Sequence, residues 1–350
     1  MASEIACLAV KLQIVMHDAN RPSIDSERSS NSPQEPWVTF APLVADVIVI
    51  TGATAAGKSA VALKLAERLD AEILSLDSIA VYRGMDIGTA KPSPADRARV
   101  PHHLLDVVAP DQDFSVACYL KAAHEAIAQI RARGRKAIFV GGTPMFLKGV
   151  LRGFDPGPPA DWEFREAVEQ DVSQHGLEAL YDRLRQVDPL AAHRIAPTDM
   201  RRMIRALEVA RHTGVPLSHR QTQFDHGRSA SQCHVFAIHW PREQLHQRIN
   251  LRVRRMFDIG LVDEVRGLLS TFGSLSRTAA QAVGYREVID WLQHGGPLDP
   301  TIEEVAAHTR QLARRQETWF RSFSEVRQLD ADTSQSTDDL AETILRAIRH

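Results

Sequence analysis

The chain has 350 residues, 44% hydrophobic and 25% charged, which is the composition of a globular protein long enough to bury a large core without staples. Its 42 basic and 44 acidic side chains nearly balance, so any nucleic-acid surface has to be a local basic patch rather than a property of the whole chain. The three cysteines, Cys7, Cys118 and Cys233, form no CxxC pair, which argues against a disulfide framework and a cysteine zinc site, and no apolar run reaches bilayer length.

A reducing, cytoplasmic setting is therefore expected, with no membrane partner and a monomeric chain. The apolar stretch 5–10 is short and follows Glu4 without a basic flank, so it makes a poor secretion signal. Residues 20–42 are rich in Ser, Pro, Asn and charge, and a flexible extension is expected over 1–44.

The core begins at Val47-Ile48-Val49-Ile50, a β-branched run suited to a strand buried on both faces. A helix over about 59–69 follows, with Val61, Leu65 and Leu69 at helical spacing. Ile73-Leu74-Ser75-Leu76 reads as a second strand that delivers Asp77 at its C-terminal end. Ser115 suits the N-cap of a helix ending at Gly134. Ala137 to Val140 is the next strand, followed by Gly141-Gly142-Thr143. Strands alternating with helices predict an α/β fold, a P-loop NTPase-like doubly wound parallel sheet. The break at Pro156-Gly157-Pro158-Pro159 opens a helical pattern that ends before the strand-like Val235 to Ile238. The expected organisation is a core of 45–157 and 233–350 with an inserted α-helical domain at 158–232. Helices are expected from about 243 to the C-terminus.

Gly52-Ala53-Thr54-Ala55-Ala56-Gly57-Lys58-Ser59 fits the GxxxxGK[ST] pattern between a strand and a helix. Such a loop turns backbone N–H groups and a helix N-terminus toward a di- or triphosphate, with Lys58 on phosphate oxygens and the Ser59 hydroxyl on Mg²⁺. Asp77 lies where open α/β sheets place their ligands, as a metal ligand or proton acceptor. Thr143 matches it at another strand end, a position that serves a turn as readily as a site. The histidines, including His102 and His103, lack compact ligand spacing and are expected at the surface or in turns.

Several stretches stand out in order: Asp77-Ser78-Ile79-Ala80 running on through Asp86-Ile87-Gly88-Thr89-Ala90-Lys91-Pro92, then Pro101-His102-His103-Leu104-Leu105-Asp106, Gly141-Gly142-Thr143, Arg205-Ala206-Leu207-Glu208-Val209, Val283-Gly284-Tyr285-Arg286, and Thr309 to Trp319. Together they resemble the tRNA dimethylallyltransferase family. The resemblance spans about 46 to 330 and is to the bacterial type, since no Cys follows Cys233 to build a C-terminal zinc finger. It implies that the P-loop holds the diphosphate of dimethylallyl diphosphate, that Asp77 is the general base and that Thr143 lies in the reaction channel. It implies transfer of the dimethylallyl group to the exocyclic amine of the adenosine beside the anticodon, with the tRNA anticodon stem-loop as partner. Contacts to tRNA are implied for Asp77, Ser78, Ile79, Ala80 and Thr143; for Arg165; for Arg201, Arg202, Met203, Ile204 and Arg205; for Gln281, Ala282, Val283, Gly284, Tyr285 and Arg286; and for Arg314, Arg315, Gln316, Glu317, Thr318, Trp319, Phe320 and Arg321.

Taken without the resemblance, the arginine groups read as a solvated face, and Trp319 is expected to be largely buried. Many members carry Gln, Pro, Ser and Tyr where this chain has Ala80, Ala53, Ala56 and Phe146. Ala80 removes a side-chain hydrogen bond to the target base, and Ala56 a hydroxyl contact to the diphosphate. The competing expectation is a P-loop kinase or prenyltransferase acting on a free nucleotide, which would need neither the insertion nor the arginine-rich C-terminal segment.

Overall fold

The computed structural model describes residues 39–225 and 227–349. The flexible extension expected at 1–44 therefore lies outside the described residues as far as 38. Its last residues belong to the fold: Phe40 and Phe154 exchange backbone hydrogen bonds of 2.9 and 3.0 Å, and Leu43 and Val44 are buried.

Strand β1 (Val47–Gly52) is buried along its whole length, with Val47 and Val49 in one apolar layer and Ile48 and Ile50 in the other. That division is why the run is continuously apolar: alternate side chains point to opposite faces, and both faces are covered. Each such side chain contributes about 1.5–3 kcal/mol by leaving water. Helix α1 (Lys58–Leu69) packs Val61 and Leu65 on the Ile48/Ile50 face. Strand β2 (Ala71–Ser75) follows, then α2 (Pro94–Arg99), which has a Ser93–Asp96 capping box, and the two-residue strand β3 (His102–His103). Helix α3 (Val116–Ala132) starts where expected, Ser115 Oγ accepting from Cys118 N at 3.2 Å. After β4 (Lys136–Val140) comes α4 (Pro144–Arg152), which lies with α3 on the Val47/Val49 face.

The insertion comprises α5 (Trp162–Val187), interrupted by Gly176 in an extended, positive-φ conformation, α6 (Pro189–Arg194), α7 (Met200–Thr213) and α8 (Leu217–Arg220). It has its own core around Phe164, Leu184, Met203 and Leu207. The chain then returns to the sheet as β5 (His234–His239). Helices α9 (Arg242–Asp258), α10 (Leu261–Phe272), α11 (Arg277–Ala280), α12 (Tyr285–His294) and α13 (Leu298–Arg321) lead to β6 (Val326–Asp330) and α14 (Thr337–Arg349).

The six strands are all parallel, in the order β3-β2-β4-β1-β5-β6. Two of them correct the sequence reading. The C-terminal region is not wholly helical, because β6 closes one edge with the half-polar run Val326-Arg327-Gln328-Leu329-Asp330. His102 and His103 are half-buried on the opposite edge rather than on a free turn, His103 Nε2 lying 2.6 Å from Oε2 of the buried Glu72. No helix among the described residues is long and apolar enough to cross a membrane.

Candidate active site

The strand order places the C-terminal ends of β2, β4 and β1 side by side. Each end carries one part of the site: Asp77 after β2, Gly141-Gly142-Thr143 after β4 and the P-loop after β1. All three line one cavity of ≈ 400 Å³, together with residues from α9, α12 and α13.

The P-loop takes its shape from backbone dihedrals that glycine allows. Gly52 has φ 136° and would drive a Cβ to 2.5 Å from the Ile238 carbonyl oxygen, and Gly57 has φ 89°. Ala55 is held at φ 64°, unfavourable for a residue with a Cβ. Its carbonyl accepts from Arg248 Nε at 2.9 Å, and the next carbonyl, of Ala56, accepts from Trp240 Nε1 at 3.0 Å. The Arg248 guanidinium stacks over the Trp240 ring at 4.3 Å, so both braces are fixed together. Lys58 Nζ donates to Ala53 O at 2.7 Å. Burial, and then the Arg252 charge, lower the Lys58 ammonium to about 7, while the Asp77 carboxylate pulls the other way. Asp77 likewise draws the half-buried Arg252 guanidinium back up against desolvation, so its charge acts on both cations across the cavity.

Asp77 is oriented by its own turn, Oδ1 accepting from Ile79 N at 2.9 Å and Ala80 N at 3.3 Å. Thr143 ties the β4 end to it: its Oγ1 accepts from Ser78 N at 2.9 Å, and its own N donates to Leu76 O at 3.1 Å. Gly141 has to be glycine, since a Cβ there would stand 2.1 Å from the Leu76 carbonyl oxygen. Beneath this floor Tyr119 stacks on Phe146 with ring centroids 3.9 Å apart and donates to Ser75 O at 2.9 Å.

The structure divides the predicted contact residues. Asp77, Ser78, Ile79, Ala80, Thr143, Gln281, Ala282, Val283, Tyr285, Arg315 and Gln316 share the cavity wall with Thr54, Lys58 and Ser59. Arg201, Arg202, Arg286, Arg314, Thr318 and Arg321 are exposed elsewhere. Met203, Ile204 and Phe320 are core residues with no side-chain surface to offer. Arg165 and Arg205 turn inward: both pair with Glu208, which is fully buried, and Arg205 Nη2 also donates to the carbonyls of Pro156 and Pro158 at 2.7 and 2.8 Å. Burial raises the Glu208 carboxyl, but the two arginines and the Asp161 N–H outweigh it and hold the group below its usual value. These arginines fasten the insertion at its junction with the core. Glu317 pairs with His239 at 3.4 Å.

Trp319 corrects an expectation: it is 37% exposed. The buried stripe of α13 runs through Ala313, Gln316 and Phe320, and Trp319 stands one position off it. Arg248 and Arg252 escaped the sequence reading, although two arginines four apart beside the apolar stripe Leu245, Ile249, Val253 are a recognisable pattern. Glu264 was missed as well; it accepts from Asp86 N, Ile87 N and Gly88 N and from Tyr285 Oη (2.6 Å), fixing the segment that ends in Thr89 and Lys91 on the cavity wall.

Family models described as IPP transferase and isopentenyl transferase match residues 80–323 and 45–106. A tRNA dimethylallyltransferase of Rhodopirellula baltica is 57% identical over 313 residues, 87% of this chain and 94% of that one. One from Geobacter sulfurreducens is 46% identical, over 79% and 88%. Among solved structures, the tRNA isopentenylpyrophosphate transferase of Bacillus halodurans superposes with a TM-score of 0.62 at 35% identity, over 87% of this chain and 97% of its own. A eukaryotic dimethylallyltransferase acting on tRNA gives 0.70 at 27% identity, over 86% and 77%. With a P-loop, a strand-end carboxylate and an inserted helical domain in this order, and with relatives matched over nearly their whole length, the chain belongs to the tRNA dimethylallyltransferase family.

Proposed function

We propose that this chain transfers a dimethylallyl group from dimethylallyl diphosphate to the exocyclic amine of the adenosine 3′-adjacent to the anticodon of tRNA, releasing pyrophosphate. The observation that carries the reading is the single cavity lined by Lys58, Ser59, Asp77 and Thr143. A carboxylate and an anion cradle thus face one space.

In the reaction the amine nitrogen bonds to the allylic carbon, the carbon–oxygen bond to the diphosphate breaks and the amine loses a proton. The exocyclic amine is a weak nucleophile because its lone pair is delocalised into the ring, and attack acidifies it. Asp77 takes the proton; its Oδ1 is already engaged by two backbone N–H groups, which fixes the carboxylate plane. Positioned general-base help of this kind is worth about 10²–10⁴-fold. The leaving pyrophosphate gains charge as the bond breaks, and Lys58, Arg252 and the P-loop amides meet that charge. The target adenosine has to leave its stack to reach the cavity, as base-modifying enzymes generally require.

Mg²⁺ is the expected cofactor, and the residues present fit it. Among the described residues no cluster of three or more His, Cys, Asp or Glu forms an all-protein metal cage. The oxygen donor is the exposed Ser59 hydroxyl, which suits a cation held chiefly by substrate phosphates and water and leaves the Asp77 carboxylate to take the proton. When bound, it neutralises charge on the diphosphate.

The insertion and the exposed arginines of α7 and α13 favour a tRNA acceptor over a free nucleotide, which needs neither. The test is mass spectrometry of tRNA nucleosides after incubation with enzyme, Mg²⁺ and dimethylallyl diphosphate. A prenylated adenosine is expected; its absence, or equal transfer to free AMP, refutes the reading. Asp77→Asn is expected to keep tRNA affinity within about twofold and to slow single-turnover transfer by about 10²–10⁴-fold. Near-normal transfer would remove Asp77 from the role of base.

A further inference from the structure

Gln316 lies in the α13 segment whose family counterpart is linked to tRNA, yet it is 7% exposed and spends both ends of its amide inside the protein. Its Oε1 accepts from the P-loop Thr54 N at 2.8 Å, and its Nε2 donates to Gly142 O at 2.7 Å. The space around it is tight: a Cβ on Gly142 would stand 2.6 Å from Nε2. The residue after Gly142 is Thr143, whose Oγ1 accepts from Ser78 N, adjacent to Asp77. One run of hydrogen bonds and short backbone links therefore joins the anion cradle to the carboxylate, passing through a side chain from a helix that belongs to neither strand end.

The geometry has a reason. Strands β1 and β4 are paired up to Ile50 and Val140, and Gly141 N still donates to Ile50 O at 3.2 Å and Thr51 Oγ1 to Gly141 O at 2.9 Å. One residue further on, the link between the two loops is the Gln316 amide, which joins Gly142 O to Thr54 N. A primary amide suits the gap because it offers an acceptor and a donor in one rigid plane. An aliphatic group offers neither.

We infer that Gln316 is a positioning residue for the transfer reaction: it sets the distance between the diphosphate cradle and the Asp77–Thr143 wall, and it does not read tRNA. This rests on the transferase reading above. Gln316 touches none of the reacting groups in this account and acts only through Thr54 and Gly142.

The test is steady-state and single-turnover transfer with the full chain, tRNA, Mg²⁺ and dimethylallyl diphosphate, alongside tRNA binding measured separately. Gln316→Met keeps the length and removes both hydrogen bonds. It is expected to lower kcat by about 10–100-fold, the scale of loss when reacting groups are misplaced by about 1 Å, and to raise the donor KM, with the tRNA Kd within about twofold of the parent. Gln316→Glu supplies a second readout. Ionised, it can still accept from Thr54 N but faces Gly142 O without a proton. Protonated, it restores the donor, so the ratio of its kcat to that of the parent is expected to rise as pH falls below about 6.

Either of two results overturns the inference: a tRNA Kd weakened tenfold or more with kcat preserved, or kcat and both affinities unchanged in Gln316→Met. If Gln316→Met does not fold, the pH dependence of the Gln316→Glu ratio decides, and a flat ratio refutes the positioning role. The parent enzyme separates the two levels: no transfer by the parent refutes the proposed function, whereas transfer by the parent with an indifferent Gln316 refutes only this inference.

Discussion

Binding of the prenyl donor should recharge Lys58. In the free protein the amine is pulled down to about 7 by burial and by Arg252. At about pH 8 some nine molecules in ten then carry a neutral Lys58. A diphosphate placed in the P-loop brings opposite charge into contact with that amine, which favours the ammonium. The sign follows directly: the group is more basic in the complex than in the free protein, so association takes up a proton. The uptake by Lys58 should be about 0.9 proton per site at pH 8. Donor affinity attributable to Lys58 is complete below 7 and weakens as pH rises, by up to tenfold, or about 1.4 kcal/mol, per unit. The assay is titration calorimetry of dimethylallyl diphosphate without tRNA, in buffers that differ in ionisation enthalpy; the slope of observed heat against that enthalpy gives the proton count. Lys58→Arg, whose guanidinium stays charged, is expected to give a slope near zero at pH 8. A slope near zero in the parent, or the same slope in both proteins, refutes the account of Lys58 as a neutralised, buried cation.

Glu72→Gln should destabilise the fold by about 1–3 kcal/mol, allowing for the exposure of its partners, because the buried carboxylate accepts two bonds from Arg133 (3.0 and 2.7 Å) and meets His103 at 2.6 Å. The Arg133 bonds foremost hold this carboxyl down at about 2, so its contribution is present above about 4.3 and is lost as pH falls toward 2; urea melts at neutral and acid pH should show the gap between parent and variant closing. Gly141→Ala should cost more than about 4 kcal/mol or abolish soluble expression, since its Cβ meets backbone at 2.1 Å. Gly267→Ala, within α10 and with nothing inside 4 Å of the added carbon, should instead stabilise by about 0.5–1 kcal/mol; a lowered melting midpoint would contradict the open surface described there.

Much of the site was legible because it is local. The run Val47 to Ile50 leading into Gly52-Ala53-Thr54-Ala55-Ala56-Gly57-Lys58-Ser59 states a buried strand, an anion loop and a helix start within a few residues of each other, and backbone sterics decide each of them on the spot. Asp77 and Thr143 were recognisable as strand-end residues for the same reason. Short edge strands were not. β3 has two residues and β6, Val326-Arg327-Gln328-Leu329-Asp330, breaks the polar–apolar alternation of a half-buried strand, so neither carries a signal apart from its neighbour in the sheet.

The tertiary structure decided which loops are neighbours and what bridges them. Strand order is set by how helices cover the two faces of the sheet, and nothing in the spacing of the motifs states that β4 lies between β2 and β1. The residues that finish the cavity come from far along the chain: Gln316 reaches Thr54 across 262 residues, and Arg248 reaches Ala55 across 193. Their roles depend on which face of α13 or α9 packs inward. Periodicity bounds that choice, but only the assembled core fixes it, and so Phe320 lies inside, Trp319 at the edge, and Arg165 and Arg205 on a buried glutamate. What the amino-acid sequence determined by itself was the chemistry available at each strand end; the packing of helices decided the distances between those ends.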